Sequence, residues 1–273
     1  MDKPELVFFA GSTLLEGPVW DALNKNIACV SIEQSCIYLI NTETGMINTI
    51  KTNGQVGCAV NKGANIYWSA EKMGIYEINI MTGERTFLVH PESNLEMRYN
   101  DGKLDPFGRF LFGTMGFDKE MPLKGRLFSF DGQNCNVIIE GITISNGIAF
   151  SQDGSIMYFI DTPTRAVKQY DYNKQTGEAI FKQTVIEIVG MGLPDGMCMD
   201  IDGLLWIAEW NGSKVSKWDP ESGKKKSEII LPCINVTSCC LGGENLEYLY
   251  ITTAKNTERY EPMAGGIFRV KLR

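Results

Sequence analysis

A short marker recurs along this chain with a period near 45 residues. A glycine preceded by a small or polar residue opens an apolar, strand-like run at Glu16-Gly17, Val56-Gly57, Asp101-Gly102, Asn146-Gly147 and Asp195-Gly196. A sixth, weaker start lies at Ser238-Cys239, and the steps between successive starts are 40, 45, 45, 49 and 43 residues. A second marker, a turn pair ending in glycine, follows within each of the first five units: Thr44-Gly45, Thr82-Gly83, Asp131-Gly132, Thr176-Gly177 and Ser222-Gly223. Two markers sharing one period imply a structural repeat. The fourth unit shows its content most clearly: NGIAF, a turn over 151–154, IMYFIDT, AVKQYDY, a turn over 174–177, and a last apolar run near 179–185. Alternating apolar, β-branched and aromatic residues split by Asp-Gly and Thr-Gly turns read as β-hairpins, not helices. Four strands in a repeat of this length is the pattern of a propeller blade. At 273 residues the chain has room for six such units. The expected fold is therefore all-β: one six-bladed β-propeller domain over residues 1–273, with four antiparallel strands per blade.

Composition narrows the function. Lys and Arg number 26 against 33 Asp and Glu, for a net charge of −7. The only dense basic run, Lys224-Lys225-Lys226, reads as a turn. Nucleic-acid binders carry a basic face, so no nucleic-acid partner is expected. No stretch reaches the roughly 18 apolar residues of a membrane-spanning helix, and the first residues, MDKPELVFFAGS, lack the apolar core of a signal peptide. The expectation is a cytoplasmic protein without a membrane partner, monomeric or weakly homo-oligomeric. The eight cysteines form no CxxC pair, which favours free thiols over a disulfide scaffold or a zinc site.

The repeat also predicts a site. In a propeller the first strand of every blade lines the central channel, so equivalent positions of successive repeats converge around one axis. The position just before the leading glycine holds Glu16, Asn146 and Asp195 in the first, fourth and fifth units. Asp101 holds it in the third, with Asn100 one step back. Carboxylates and an amide oxygen converging without a basic partner at those positions repel one another, and a divalent cation that prefers oxygen relieves the repulsion. Asn-Gly and Asp-Gly are also common turn pairs, but Glu16 is no turn former, and the shared repeat phase favours the metal.

The same positions sit in longer strings: EGPVW (16–20), RYNDGKLDPFGRFLFGTM (98–115), SNGIAFSQDGSIMYFIDT (145–162), LPDGMCMDIDGLLWIAEWNGSKV (193–215), TSCCLGG (237–243) and AGGIF (264–268). In content and order these resemble the senescence-marker-protein, gluconolactonase and regucalcin family. The resemblance implies a six-bladed propeller that binds one divalent metal in the channel and hydrolyses sugar lactones. It implies Glu16, Asn146 and Asp195 as metal ligands, and Arg98 and Asn100 as substrate contacts. It also implies a carboxylate shortly after the GTM string, for which Asp118 is the candidate, although the chain departs there from the commoner form.

Lactone hydrolysis adds water to an ester carbonyl, so Asp195 is the candidate catalytic base beside a calcium, zinc, manganese or magnesium ion. A non-catalytic calcium-binding protein, or a lactonase or esterase for a non-sugar lactone, is the alternative. Other hydrolytic designs lack parts. The single histidine, His90, precedes Pro91 in an inter-blade loop, and no GxSxG elbow is present. The segment 117–124, with mixed charges and Pro122, is a candidate lid or a plain surface loop.

Overall fold

The computed structural model describes residues 3–272 and confirms the six-bladed propeller. Its strands form six four-stranded antiparallel sheets. Blade one spans 15–51, blade two 56–89, blade three 97–142, blade four 145–187 and blade five 193–230, each built from four consecutive strands. Blade six is composite. Its three inner strands are Asn235–Gly242, Tyr248–Ala254 and Gly266–Lys271, and its outer strand is Glu5–Phe9 from the other end of the chain. That pairing closes the ring, with Arg269 joined to Glu5 across it at 2.9 Å. The one helical element among the described residues is a 3-10 turn at Thr162–Thr164. No helix among them is long and apolar enough to cross a membrane.

The sheets are packed by their seams. Buried apolar residues fall into six clusters, and each joins two neighbouring blades. Between blades two and three, Phe110, Phe112 and Phe128 pack with Trp68 and Tyr99. Between blades six and one, Trp20 stacks on Tyr250 with ring centroids 6.2 Å apart. Alternation on each strand sends one set of side chains into each seam.

The innermost strands carry the device behind the glycine marker. They are Leu15–Asp21, Val56–Gly63, Met97–Leu104, Ser145–Phe150, Leu193–Met199 and Asn235–Gly242. Each shifts register against its neighbour by one extra residue, at the marked position in blades one to five and at Thr237, just before the expected Ser238-Cys239 start, in blade six. A β-bulge bends the strand and re-aims a side chain. Glycine there also lets adjacent blades meet. A Cβ on Gly147 would lie 2.7 Å from the Asp195 carbonyl oxygen and 2.6 Å from Ile160 Cδ1. A Cβ on Gly57 would strike the Tyr99 and Asn100 carbonyls, and one on Gly196 would strike the Ser238 side chain. At Gly57, Gly102, Gly147 and Gly196 the sequence period is therefore the imprint of close approach around the axis, whereas Gly17, with φ of +52° and nothing near an added Cβ, answers to the backbone conformation of its bulge. Pro18 and Pro194 are tolerated because innermost strands are sheet edges, where a missing N–H breaks no ladder bond.

Candidate functional site

The bulges gather the predicted polar residues at one end of the channel. Glu16, Asn146 and Asp195 come from blades one, four and five, each at the bulge of its innermost strand. Asn100 and Asp101 both fall inside the bulge of blade three, between Tyr99 and Gly102. Asn146 and Asp195 are each 5% exposed and Asn100 8%, while Glu16, Asp101 and Arg98 are half-buried.

A hydrogen-bonded chain runs across three blades and sets the amides. The Arg98 guanidinium donates to Asn100 Oδ1 at 2.7 Å and to its neighbour's carbonyl, Tyr99 O, at 3.1 Å. Asn100 Nδ2 donates to Asn146 Oδ1 at 2.8 Å and to Ser145 O at 2.9 Å. Asn146 Nδ2 donates to Thr162 Oγ1 at 2.8 Å, and the Thr162 hydroxyl donates to Pro194 O at 2.8 Å. With its amide nitrogen committed to Thr162, Asn146 keeps one lone pair of Oδ1 available. Arg98 thus turns inward, and its partner is an amide of the ring rather than Glu96, which pairs with Lys119 at 3.3 Å.

The carboxylates are differently placed. Glu16 accepts the Gly17 N–H at 3.0 Å, and Asp101 accepts the Gly102 N–H at 2.7 Å. Asp195 Oδ1 is buried with no hydrogen-bond partner. Burial, then the neighbouring Asp101 charge, push the Glu16 carboxyl up to about 8. Burial, then Glu16 and Asp101, push Asp195 well above the usual carboxylate range, with Arg98 offsetting only part. Asp101 is raised by burial, with Lys103 opposing. Three acids within each other's field and one orphaned oxygen are a strained arrangement for protein alone.

These residues fit a hard divalent cation. The Glu16, Asn146 and Asp195 donors are all oxygens, two of them anionic, which suits calcium, magnesium or manganese and is tolerated by zinc. Among the described residues no group of three or more His, Cys, Asp or Glu side chains is placed to hold a metal. The candidate set reaches three only through the amide of Asn146, leaving further coordination positions to water and substrate.

Asp118 stands apart. It is exposed in the segment 117–124, and none of the hydrogen bonds described for the ring reaches it. That segment follows Gly116, which pairs with Met97 at the start of the innermost strand of blade three. It is held by Phe117 N–H donating to Glu96 O at 2.7 Å and by Lys72 Nζ lying 4.2 Å from the Phe117 ring centre. His90 lies in the loop before blade three, with Nδ1 3.2 Å from the Tyr99 hydroxyl. Sequence reasoning missed Thr162, the residue that orients Asn146. It ends the string SNGIAFSQDGSIMYFIDT, but only the crossing between blades shows what it touches.

Comparison with known proteins identifies the family. Residues 14–255 match the family model described as SMP-30/Gluconolactonase/LRE-like region. Regucalcin of Danio rerio is 33% identical over 98% of this chain and 94% of its own. A Bacillus subtilis protein named "Putative sugar lactone lactonase YvrE" is 33% identical over 94% of this chain and 90% of its own. Among solved structures, a calcium-binding protein, regucalcin, from Agrobacterium tumefaciens superposes with a TM-score of 0.92 at 23% identity, covering 98% of this chain and 93% of the other. A luciferin-regenerating enzyme superposes at 0.89 with 25% identity, over 98% and 95%.

Proposed function

The chain belongs to the SMP-30/gluconolactonase/LRE-like family, and from that footing we propose that it is a divalent-metal-dependent lactonase acting on a small sugar lactone. The observation that carries the reading is the convergence of Glu16, Asn146 and Asp195 at one channel mouth, with Asp195 Oδ1 buried and unpartnered. Glu16, Asn146 and Asp195 would hold the cation. When bound, it supplies Lewis acidity toward the ester carbonyl and favours the ionised form of the flanking acids. The names gluconolactonase and sugar lactone lactonase among relatives support the substrate class.

The chain's own residues account for the proton movements. Asp195 takes a proton from water as the water oxygen adds to the lactone carbonyl carbon. When the tetrahedral centre collapses, the ring C–O bond breaks and Asp195 returns that proton to the departing ring oxygen. The product is the open-chain hydroxy acid. Arg98, steadied by Asn100 and Tyr99 O, holds sugar hydroxyls and the charge that develops on the carbonyl oxygen. Asn100 sets the Asn146 ligand and borders the ring-binding space. Eight free thiols among the described residues support the cytoplasmic placement.

The test is initial-rate hydrolysis of glucono-δ-lactone by metal-stripped protein, with calcium, magnesium, manganese and zinc restored singly and Asp195→Ala alongside. Turnover that requires the cation and disappears in the variant supports the proposal. Cation binding without hydrolysis of this or other lactones would transfer the site to a calcium-binding role, and activity indifferent to both would refute the site.

A further inference from the structure

The seam between blades five and six holds two thiols that the lactonase reading does not use. Cys198 lies on the innermost strand of blade five and Cys239 on that of blade six. Their sulfurs are 3.7 Å apart, and the residues are 7% and 2% exposed. A disulfide requires about 2.05 Å, so about 1.7 Å of approach would join them. Cys198 is three residues beyond Asp195, on the same strand. Lys103 of blade three donates from Nζ to Met197 O at 2.8 Å, placing an ammonium beside the pair. A cavity of about 670 Å³ opens at the opposite channel mouth, lined by Lys103, Met199 and Cys240 among others. Those three residues are Cys198's neighbour, Cys239's neighbour and the ammonium itself, so the cavity ends one residue along each strand from the pair.

We propose that Cys198 and Cys239 form a reversible disulfide, driven by hydrogen peroxide, that cross-links blades five and six beneath the Asp195 bulge and slows turnover.

The two thiols have different roles. The contact with Cys239 Sγ, then the Lys103 charge, outweigh burial and hold the Cys198 thiol below its ordinary range, whereas burial raises Cys239 well above it. Cys198 as thiolate attacks one peroxide oxygen; the O–O bond breaks, the other oxygen leaves as hydroxide and takes a proton to become water. The Cys198 sulfenic acid then meets Cys239 sulfur, the S–S bond forms, and the sulfenic oxygen leaves as a second water with the Cys239 proton. Two thiols are oxidised and one peroxide is reduced. Ser238 already packs against Gly196 at the level above, so drawing the strands together one turn of the pleat lower tilts the strand that carries Asp195. The effect on turnover rests on the lactonase proposal, whereas the cross-link does not.

The experiment treats native protein with a small excess of hydrogen peroxide, counts thiols after denaturation, and maps disulfide-linked peptides. The expected result is a fall from eight thiols to six, a Cys198–Cys239 link, its persistence in Cys240→Ser, its absence in Cys239→Ser, and recovery with dithiothreitol. Lactone hydrolysis is expected to fall several-fold on oxidation, to return on reduction, and to resist peroxide in Cys239→Ser. Eight thiols remaining, or a link through Cys240 instead, overturns the cross-link. A mapped link with unchanged turnover, or equal losses in wild type and Cys239→Ser, overturns the coupling to Asp195. If reduced protein hydrolyses no lactone, the functional proposal fails while peptide mapping still decides the cross-link.

Discussion

A carboxylate oxygen enclosed without a partner destabilises a folded chain, and Asp195 keeps one in reach of Glu16 and Asp101. The expected consequence is a stability that depends on pH in the cation-free protein. Glu16 is raised in the folded state from 4.5 to about 8, so the folded chain binds its proton more tightly than the unfolded chain. Its contribution is full below the unfolded value and is lost as pH rises through about 8. Thermal unfolding of chelator-treated protein should therefore show Tm falling between pH 4.5 and 8, and saturating calcium should flatten that slope. At the same scale, Asp195→Asn keeps the shape and removes the base, and kcat should fall by about 10²- to 10⁴-fold. Asn100→Ala leaves Asn146 Oδ1 unsupported, and cation affinity should weaken by about 10- to 100-fold in a calorimetric titration. Asp118→Ala, on its exposed loop, should leave that affinity unchanged.

The element that matters most is the bulged innermost strand. One extra residue in each re-aims the side chain beside it toward the axis, and Gly57, Gly147 and Gly196 admit the next blade. Gly147→Ala would place a methyl group against the Asp195 carbonyl and Ile160. It should cost about 1–3 kcal/mol by overpacking, read as a lower urea midpoint, and it should also weaken cation binding, because the same contact positions Asp195. Two turn glycines of the second marker behave differently. Gly45 and Gly83 have φ of +72° and +74° with nothing near an added Cβ, so their role is turn conformation alone.

For the whole molecule, closure is the decisive contact. Blade six takes Glu5–Phe9 as its outer strand, so the ring is sealed by pairing between residues near opposite ends of the chain. Removing residues 1–9 should leave Gly266–Lys271 as an unprotected edge, lower Tm, and raise aggregation on heating by light scattering. Blades one to five are each built from consecutive strands, and their seams bury separate clusters. The truncated chain should therefore retain most of its far-ultraviolet β signal below the new transition.

The blade count, the strand content and the convergence of Glu16, Asn146 and Asp195 were legible in the sequence because a repeat writes its geometry as a period. A glycine at the innermost-strand bulge recurs in blades one to five, and in four of them, Val56 of blade two being the exception, a polar residue precedes it. Arg98 was legible as a motif residue, but its inward turn onto Asn100 and away from Glu96 depends on the blade-three bulge. Thr162 and the Cys198–Cys239 pair carry no period, since each acquires its meaning from a neighbouring blade. Asp118 had the residue type but lies on a loop whose course the repeat does not dictate. The period sets what happens within a blade, and only the packed ring decides what happens between blades. Contacts across a seam join residues tens of positions apart, and their partners are chosen by how the sheets pack.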